Sequence, residues 1–248
     1  MHPALNIGIL AHVDAGKTSL TERLLFHTGA IARLGSVDGG DTQTDSGAIE
    51  RRRGITIRTA VASFTVGDLR VNLIDTPGHS DFIAEVERAL GVLDGAVLVV
   101  SAVEGVQPQT RVLMKTLARL RLPTLIFINK VDRTGARPLE VLADVRRLLA
   151  PGAVLMEPFD GLDTLADHDD DLLKRLVYGE PIPPRRLREA LREQVAAGLV
   201  QPVFTGSAVT GQGVPELLEG LKLLPLAPTG RSRLSGTVFA IERGPAGD

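Results

Sequence analysis

The chain has 248 residues, 44% of them hydrophobic, which suffices for one large core, because single cores stop growing at about 250 to 300 residues. Its 28 Lys and Arg against 30 Asp and Glu give a formal charge of −2. With the basic residues spread along the chain, a broad cationic field for nucleic acid or membrane is excluded and any RNA contact must be local. The absence of cysteine rules out disulfides, thiolate catalysis and Cys-based metal sites.

No basic segment followed by a long apolar core and a small-residue cleavage site opens the chain, which favours the cytoplasm. The most apolar stretch, GAVLVVSAV at 95–103, is far shorter than the roughly 20 residues that cross a bilayer, so it reads as a buried strand and no membrane partner is expected.

In chain order, LNIGIL at 5–10 predicts a first strand, followed by AHVDAGKTSL at 11–20 and a helix over 18–28. Leu20, Leu24 and Leu25 share one face of that helix, and Gly29 is its stop. Residues 30–54 have no period and are rich in Gly, Asp and Thr, the composition of a long functional or disordered loop. ITIRTAVASFTV and LRVNLID flank Gly67-Asp68, a two-residue turn that predicts a hairpin and an antiparallel edge. Helices over 81–92, 108–121 and 138–149 alternate with strands over 96–101 and 124–128.

The pattern weakens over 150–200, where an acidic DGLDTLADHDDD and a helix after the prolines of EPIPPRRLREALREQ read as a helical insertion. A strand over 202–205 and a helix over 213–223 follow. PLAPTGRSR is linker-like, and SGTVFAIERG begins another strand. The expectation is an α/β fold, a mostly parallel sheet with helices on both faces, spanning 1–228. Residues 229–248 would be a linker and the first strand of a second domain cut short.

Five motifs carry chemistry. A strand, a loop and a helix starting near Thr18 aim successive backbone N–H groups and a helix dipole at one point, which is an anion site. There Asp14, Ala15, Gly16, Lys17, Thr18 and Ser19 are nucleotide-binding candidates. Gly16 admits close backbone approach, Lys17 reaches phosphate oxygens and the Thr18 hydroxyl reaches Mg²⁺; Ala11 departs from the usual opening glycine. In DTPGHSDF, Asp75 would hold Mg²⁺ through water, Gly78 offer its N–H to a γ-phosphate and His79 sit beside the attacking water. In NKVD, the Asp132 carboxylate accepts from both guanine N–H donors, a pair that adenine lacks, while Asn129 braces the loop and the stem of Lys130 covers the base. GSA, with Ser207 and Ala208, offers backbone N–H groups to the guanine carbonyl, and Thr56 of RRGIT could close over Mg²⁺ and γ-phosphate.

Singly, each has a plain alternative: Lys17 at an exposed helix start, His79 in a surface loop, NKVD and GSA as ordinary turns. Together they fall in the order a guanine-nucleotide switch requires, four of the five at strand ends, where α/β sheets bind ligands.

AHVDAGKTSLTERLL, ERRRGITI, LIDTPGHSDF, FINKVDR and PVFTGSA resemble translational GTPases over nearly the whole chain. The segment between NKVD and GSA is intermediate in length between the elongation factor Tu and elongation factor G types. The loop GGDTQTDSGAIERRRGITIRTAVASF is most similar to ribosomal protection proteins of tetracycline resistance, relatives of elongation factor G. The resemblance implies GTP and GDP as ligands, Mg²⁺ at Thr18, Thr56 and Asp75, and the ribosome as partner and activator of a monomer. It makes His79 the residue that positions hydrolytic water, with Val13 and Ile55 as an apolar gate. Drug protection, another elongation-factor-G-like role, and a nucleotide-binding module without ribosome function all stay open. Arg51, Arg52 and Arg53 read equally as a solvated or RNA-facing patch and as a finger; Arg185, Arg186 and Arg188, and the acidic run 167–171 with His168, read as solvated faces rather than an RNA contact or a metal site.

Overall fold

The computed structural model describes residues 3–35, 60–75 and 90–226. Among these residues the frame is a seven-stranded sheet. In chain order the strands are β1 (Ala4–Ala11), β2 (Ala60–Val66), β3 (Leu69–Asp75), β4 (Gly95–Ser101), β5 (Thr124–Asn129), β6 (Ala153–Leu155) and β7 (Gln201–Thr205). Across the sheet they lie β2-β3-β1-β4-β5-β7-β6. β2 pairs antiparallel to β3 through the turn at Gly67, whose φ of 60° suits a glycine, and the other ladders are parallel.

Every residue of β4 and β5 is buried, as strands covered on both faces require. Alternate side chains feed two cores: Ile7, Ile9, Val97, Val99, Leu125 and Phe127 on one face, Leu98, Val100, Ile126 and Ile128 on the other. The first face is covered by α1 (Lys17–His27), α6 (Pro184–Ala196) and α7 (Val214–Gly220), through residues such as Leu20, Leu24, Leu191, Val195 and Leu217. The second is covered by α2 (Pro108–Arg119) and α3 (Pro138–Leu148), through Met114, Leu117, Val141 and Val145. The expected doubly covered α/β fold is therefore present.

The segment 150–200 is more than a helical insertion. It holds α4 (Leu162–Ala166), α5 (Asp170–Tyr178) and α6, but also β6, which adds an edge to β7 in the register Ala153↔Gln201 to Leu155↔Val203. Three residues are too few to show a period, so only the ladder identifies this strand. The acidic run has a structural role: the Asp169 carboxylate caps α5 by accepting from the N–H groups of Asp171 and Leu172, both at 3.1 Å, and pairs with Arg186 on α6. Arg175 holds the Asp171 carboxyl below its ordinary range, with Arg186 adding to the effect. No helix among the described residues is long and apolar enough to cross a membrane. The expected helix over 81–92 up to residue 89, the loop 30–54 from residue 36, and the linker and strand at 229–248 lie outside the described residues.

Candidate functional site

Parallel strands end on the same side of a sheet, so three of the motifs, and the Asp75 backbone that opens a fourth, converge by topology. The register pairs Ile9 with Asp75, Ala11 with Val99, Ser101 with Asn129 and Ile128 with Thr205. The loops leaving β1, β5 and β7 therefore open at one edge, with the end of β3 beside β1.

The loop after β1 is tight. The Ala15 N–H donates to the His12 carbonyl at 3.2 Å, and Asp14 and Gly16 are both left-handed, with φ of 63° and 95°. This alternation turns successive N–H groups inward, a nest for an anion. Gly16 then caps α1 without any side-chain hydrogen bond, so among the described residues no side chain serves as acceptor at the cap of that helix. Lys17 is 9% exposed, while Thr18 and Ser19 are half-buried. Val13, the described half of the expected gate, is exposed.

The loops after β5 and β7 are tied to this nest and to each other. Asn129 is buried; its Nδ2 donates to the Ala15 carbonyl at 2.8 Å and its Oδ1 accepts from the Ala208 N–H at 2.9 Å. The Gly206 N–H donates to the Ile128 carbonyl at 2.9 Å and the Val131 N–H to the Gly206 carbonyl at 3.2 Å. A Cβ on Gly206 would collide with the Gln212 carbonyl and the Phe127 ring. Asp132 stands on an exposed stretch of this loop with its side chain 24% exposed, and its carboxylate lies 3.9 Å from Arg133 Nε.

Ser207 and Ala208 sit where the sequence puts them, but their amides are engaged. The Ser207 N–H donates to the Gln212 carbonyl at 2.9 Å, and the Ala208 N–H serves Asn129. A base carbonyl reaching this loop would share donors already in use.

Several residues at the site carry no motif signal. Arg23 on α1 donates from Nε to the Ala208 carbonyl at 2.8 Å and from Nη2 to the Val209 carbonyl, fixing the last loop to the first helix. His12 Nδ1 lies 3.0 Å from Thr110 Oγ1, and the Val13 N–H donates to Gln109 Oε1 at 3.3 Å, so the start of α2 props the phosphate-type loop. Burial pushes the His12 imidazole below its ordinary range, with Lys130 adding to this and Glu104 and Asp14 opposing it. Its Nε2 is buried without a partner among the described residues.

Thr56, Gly78, His79 and Ile55, with Arg51, Arg52 and Arg53, lie outside the described residues, and Asp75 is described by its backbone alone. Of the three residues expected to hold Mg²⁺, only Thr18 is described with its side chain, whose hydroxyl is the hard oxygen donor such an ion takes, and the register brings the Asp75 backbone beside β1 two residues before Ala11.

A left-handed nest at a helix start, a carboxylate on a neighbouring loop and a buried asparagine joining the two define a phosphate-loop nucleotide-binding domain. The model of the Elongation factor Tu GTP binding domain family matches residues 2–225, and the chain belongs to that family. It is 58% identical to the tetracycline resistance protein TetM of Streptomyces lividans, over 98% of this chain and 42% of that protein. It is 43% identical to the tetracycline resistance protein TetP of Clostridium perfringens, over 98% of this chain and 41% of that one. A crystal structure from Thermus thermophilus superposes with a TM-score of 0.83 at 29% identity, covering 91% of this chain and 41% of that one. The chain thus spans about two fifths of the length of these curated relatives.

Proposed function

We propose that the chain is the GTP-binding and GTP-hydrolysing domain of a ribosome-associated protein of the tetracycline protection type. The observation that carries the nucleotide assignment is Asn129, which opens the loop that bears Asp132, donates to the phosphate nest at the Ala15 carbonyl and accepts from the Ala208 N–H of the loop after β7. The tetracycline assignment draws on the similarity to TetM and TetP. Residues 1–228 would form the nucleotide domain and 229–248 open the next one.

The N–H groups of residues 14–18 and Lys17 would hold the phosphates, and Asp132 would read the guanine edge. Mg²⁺ held by Thr18, Thr56 and Asp75 would neutralise charge on the phosphate oxygens. His79 would orient water towards the γ-phosphate, and loss of that group would release Thr56 and Gly78. With no arginine required in cis, turnover alone would be slow, about 10⁻⁴ to 10⁻³ per second, and roughly 10⁵-fold faster with an activator such as the ribosome. A monomer in the cytoplasm with local rRNA contacts fits the near-neutral charge.

The test is Mg²⁺-dependent GTP hydrolysis with and without 70S ribosomes, beside a His79→Ala variant. Ribosome stimulation that disappears in the variant supports the assignment. Failure of the wild-type chain to bind GTP overturns it, and binding without stimulation reduces it to a nucleotide-binding module.

A further inference from the structure

The turn between β4 and α2 belongs to none of the five motifs, yet it reaches the loop that carries Lys130 and Asp132. Lys130 Nζ donates to the two carboxylate oxygens of Glu104 at 3.1 and 3.4 Å. The Ser101 hydroxyl donates to the same carboxylate, and Ser101 Oγ accepts from the N–H groups of Val103 and Glu104, both at 3.2 Å. Ser101 is fully buried at the end of β4. The Glu104 carbonyl accepts from Gln107 Nε2 at 2.6 Å, which closes the turn. Glu104 is therefore anchored at its carboxylate and at both of its backbone polar groups before it meets the lysine.

Lys130 needs such an anchor. Its φ of 69° places it in the left-handed region, where a side chain with a Cβ rests only if its surroundings hold it. Its ammonium sits on a flexible four-carbon stem that has many alternative rotamers. Asn129 fixes the backbone on one side and Asp132 must face the base on the other. The Glu104 carboxylate selects, among the stem's rotamers, one that brings the ammonium within 3.1 Å of it.

We propose that Glu104 is a positioning residue for guanine-nucleotide binding, acting through Lys130. It sets the path of the lysine stem that covers one face of the base, and thereby the residence time of the nucleotide. This inference rests on the nucleotide function proposed above and adds to it a residue outside the recognition motifs. An ion pair near the surface contributes little when each side chain must also be ordered. Here the acid is already ordered by Ser101 and the turn, so only the lysine is left to fix.

The experiment measures dissociation of a fluorescent GDP analogue from the full chain, for the wild type, Glu104→Gln, Glu104→Ala, Lys130→Met and the Glu104→Gln/Lys130→Met double variant. Glu104→Gln should speed release by about three- to fivefold, the upper range for a pair of this exposure. Lys130→Met should speed it at least as much, and the double variant no further, because the acid acts only through the lysine. A carboxylate that merely stabilised its turn would instead accelerate release equally with and without Lys130, and that result overturns the proposal. So does release from Glu104→Gln and Glu104→Ala at the wild-type rate. Failure of the wild type to hold the analogue at all would instead overturn the nucleotide assignment. Glu104 and Lys130 are partly exposed, 41% and 23% at the side chain, so the substitutions leave the cores intact, and thermal melting of each variant verifies this.

Discussion

The side-chain amide of Asn129 occupies the space into which a Cβ on Gly16 would project. The close approach has two consequences: Gly16 is free to take its φ of 95°, and Asn129 reaches the carbonyl of Ala15 at 2.8 Å. Gly16→Ala would force both a strained backbone and a collision, so it should abolish nucleotide binding in a titration that the wild type passes. Asn129→Ala leaves the buried Ala15 carbonyl and Ala208 N–H without their partner, a cost of about 1 to 3 kcal/mol for each group. For a chain of this size, at about 2 to 4 °C per kcal/mol, the melting temperature should fall by at least roughly 4 °C and by as much as about 20 °C. Calorimetric melting of the nucleotide-free protein checks it, and an unchanged transition would show that the three loops hold together without this bridge.

Arg23 ties α1 to the loop after β7 by two donors on one planar group. Arg23→Lys keeps the charge and loses the fork, so it should behave like Arg23→Ala rather than like the wild type. A charged donor to a carbonyl contributes about 1.5 to 3 kcal/mol, which sets the expected loss of GDP affinity at roughly tenfold or more. Equilibrium titration with GDP decides this, and recovery of wild-type affinity by Arg23→Lys would mean that charge alone matters.

Strands were legible because β4 and β5 are buried on both faces and must therefore be continuous apolar runs. Gly67-Asp68 announced the β2–β3 hairpin for an equally local reason, since a two-residue turn demands a residue tolerant of positive φ. β6 escaped because its identity lies in a ladder with β7 and not in its three residues. At the site, the residues proposed to meet a ligand stand in motifs that a sequence displays, whereas the residues that brace those motifs do not. His12 meets Thr110 across 98 positions and Arg23 meets Ala208 across 185, and no local pattern encodes a partner at that distance. The engagement of the Ser207 and Ala208 amides was hidden for the same reason.

The Asp169 carboxylate does two things, capping α5 and pairing with Arg186 of α6, and substitution can separate them. Asp169→Ala removes both and should cost about 1 to 2 kcal/mol, most of it the cap. Asp169→Asn keeps an acceptor at the cap and loses the ion pair, so its loss should be less than half as large. Urea unfolding at equilibrium compares the two. Equal destabilisation would show that the link between helices, not the cap, dominates.

His12 makes stability depend on pH in a stated direction. Burial lowers its affinity for a proton in the folded state, and the charged ring must carry an N–H donor at Nε2, which has no acceptor among the described residues. The unfolded chain, with an ordinary imidazole, then binds more protons than the folded one between the depressed value and about 6.5. Stability must therefore rise with pH through that window and fall on acidification, with a limiting slope of about 1.4 kcal/mol per pH unit for one proton. The charged groups that bear on the ring are Glu104 and Asp14, which favour the proton, and Lys130, which opposes it; burial outweighs them. Asp94 runs the other way, because burial raises its carboxyl: it contributes stability at low pH that is lost as pH rises through its folded value. Melting curves of the wild type and His12→Gln between pH 5.5 and 7.5 isolate the imidazole. The wild type should lose melting temperature on acidification, and the variant, lower at pH 7.5, should lose less of it. Parallel curves for the two proteins would assign the acid sensitivity to other groups.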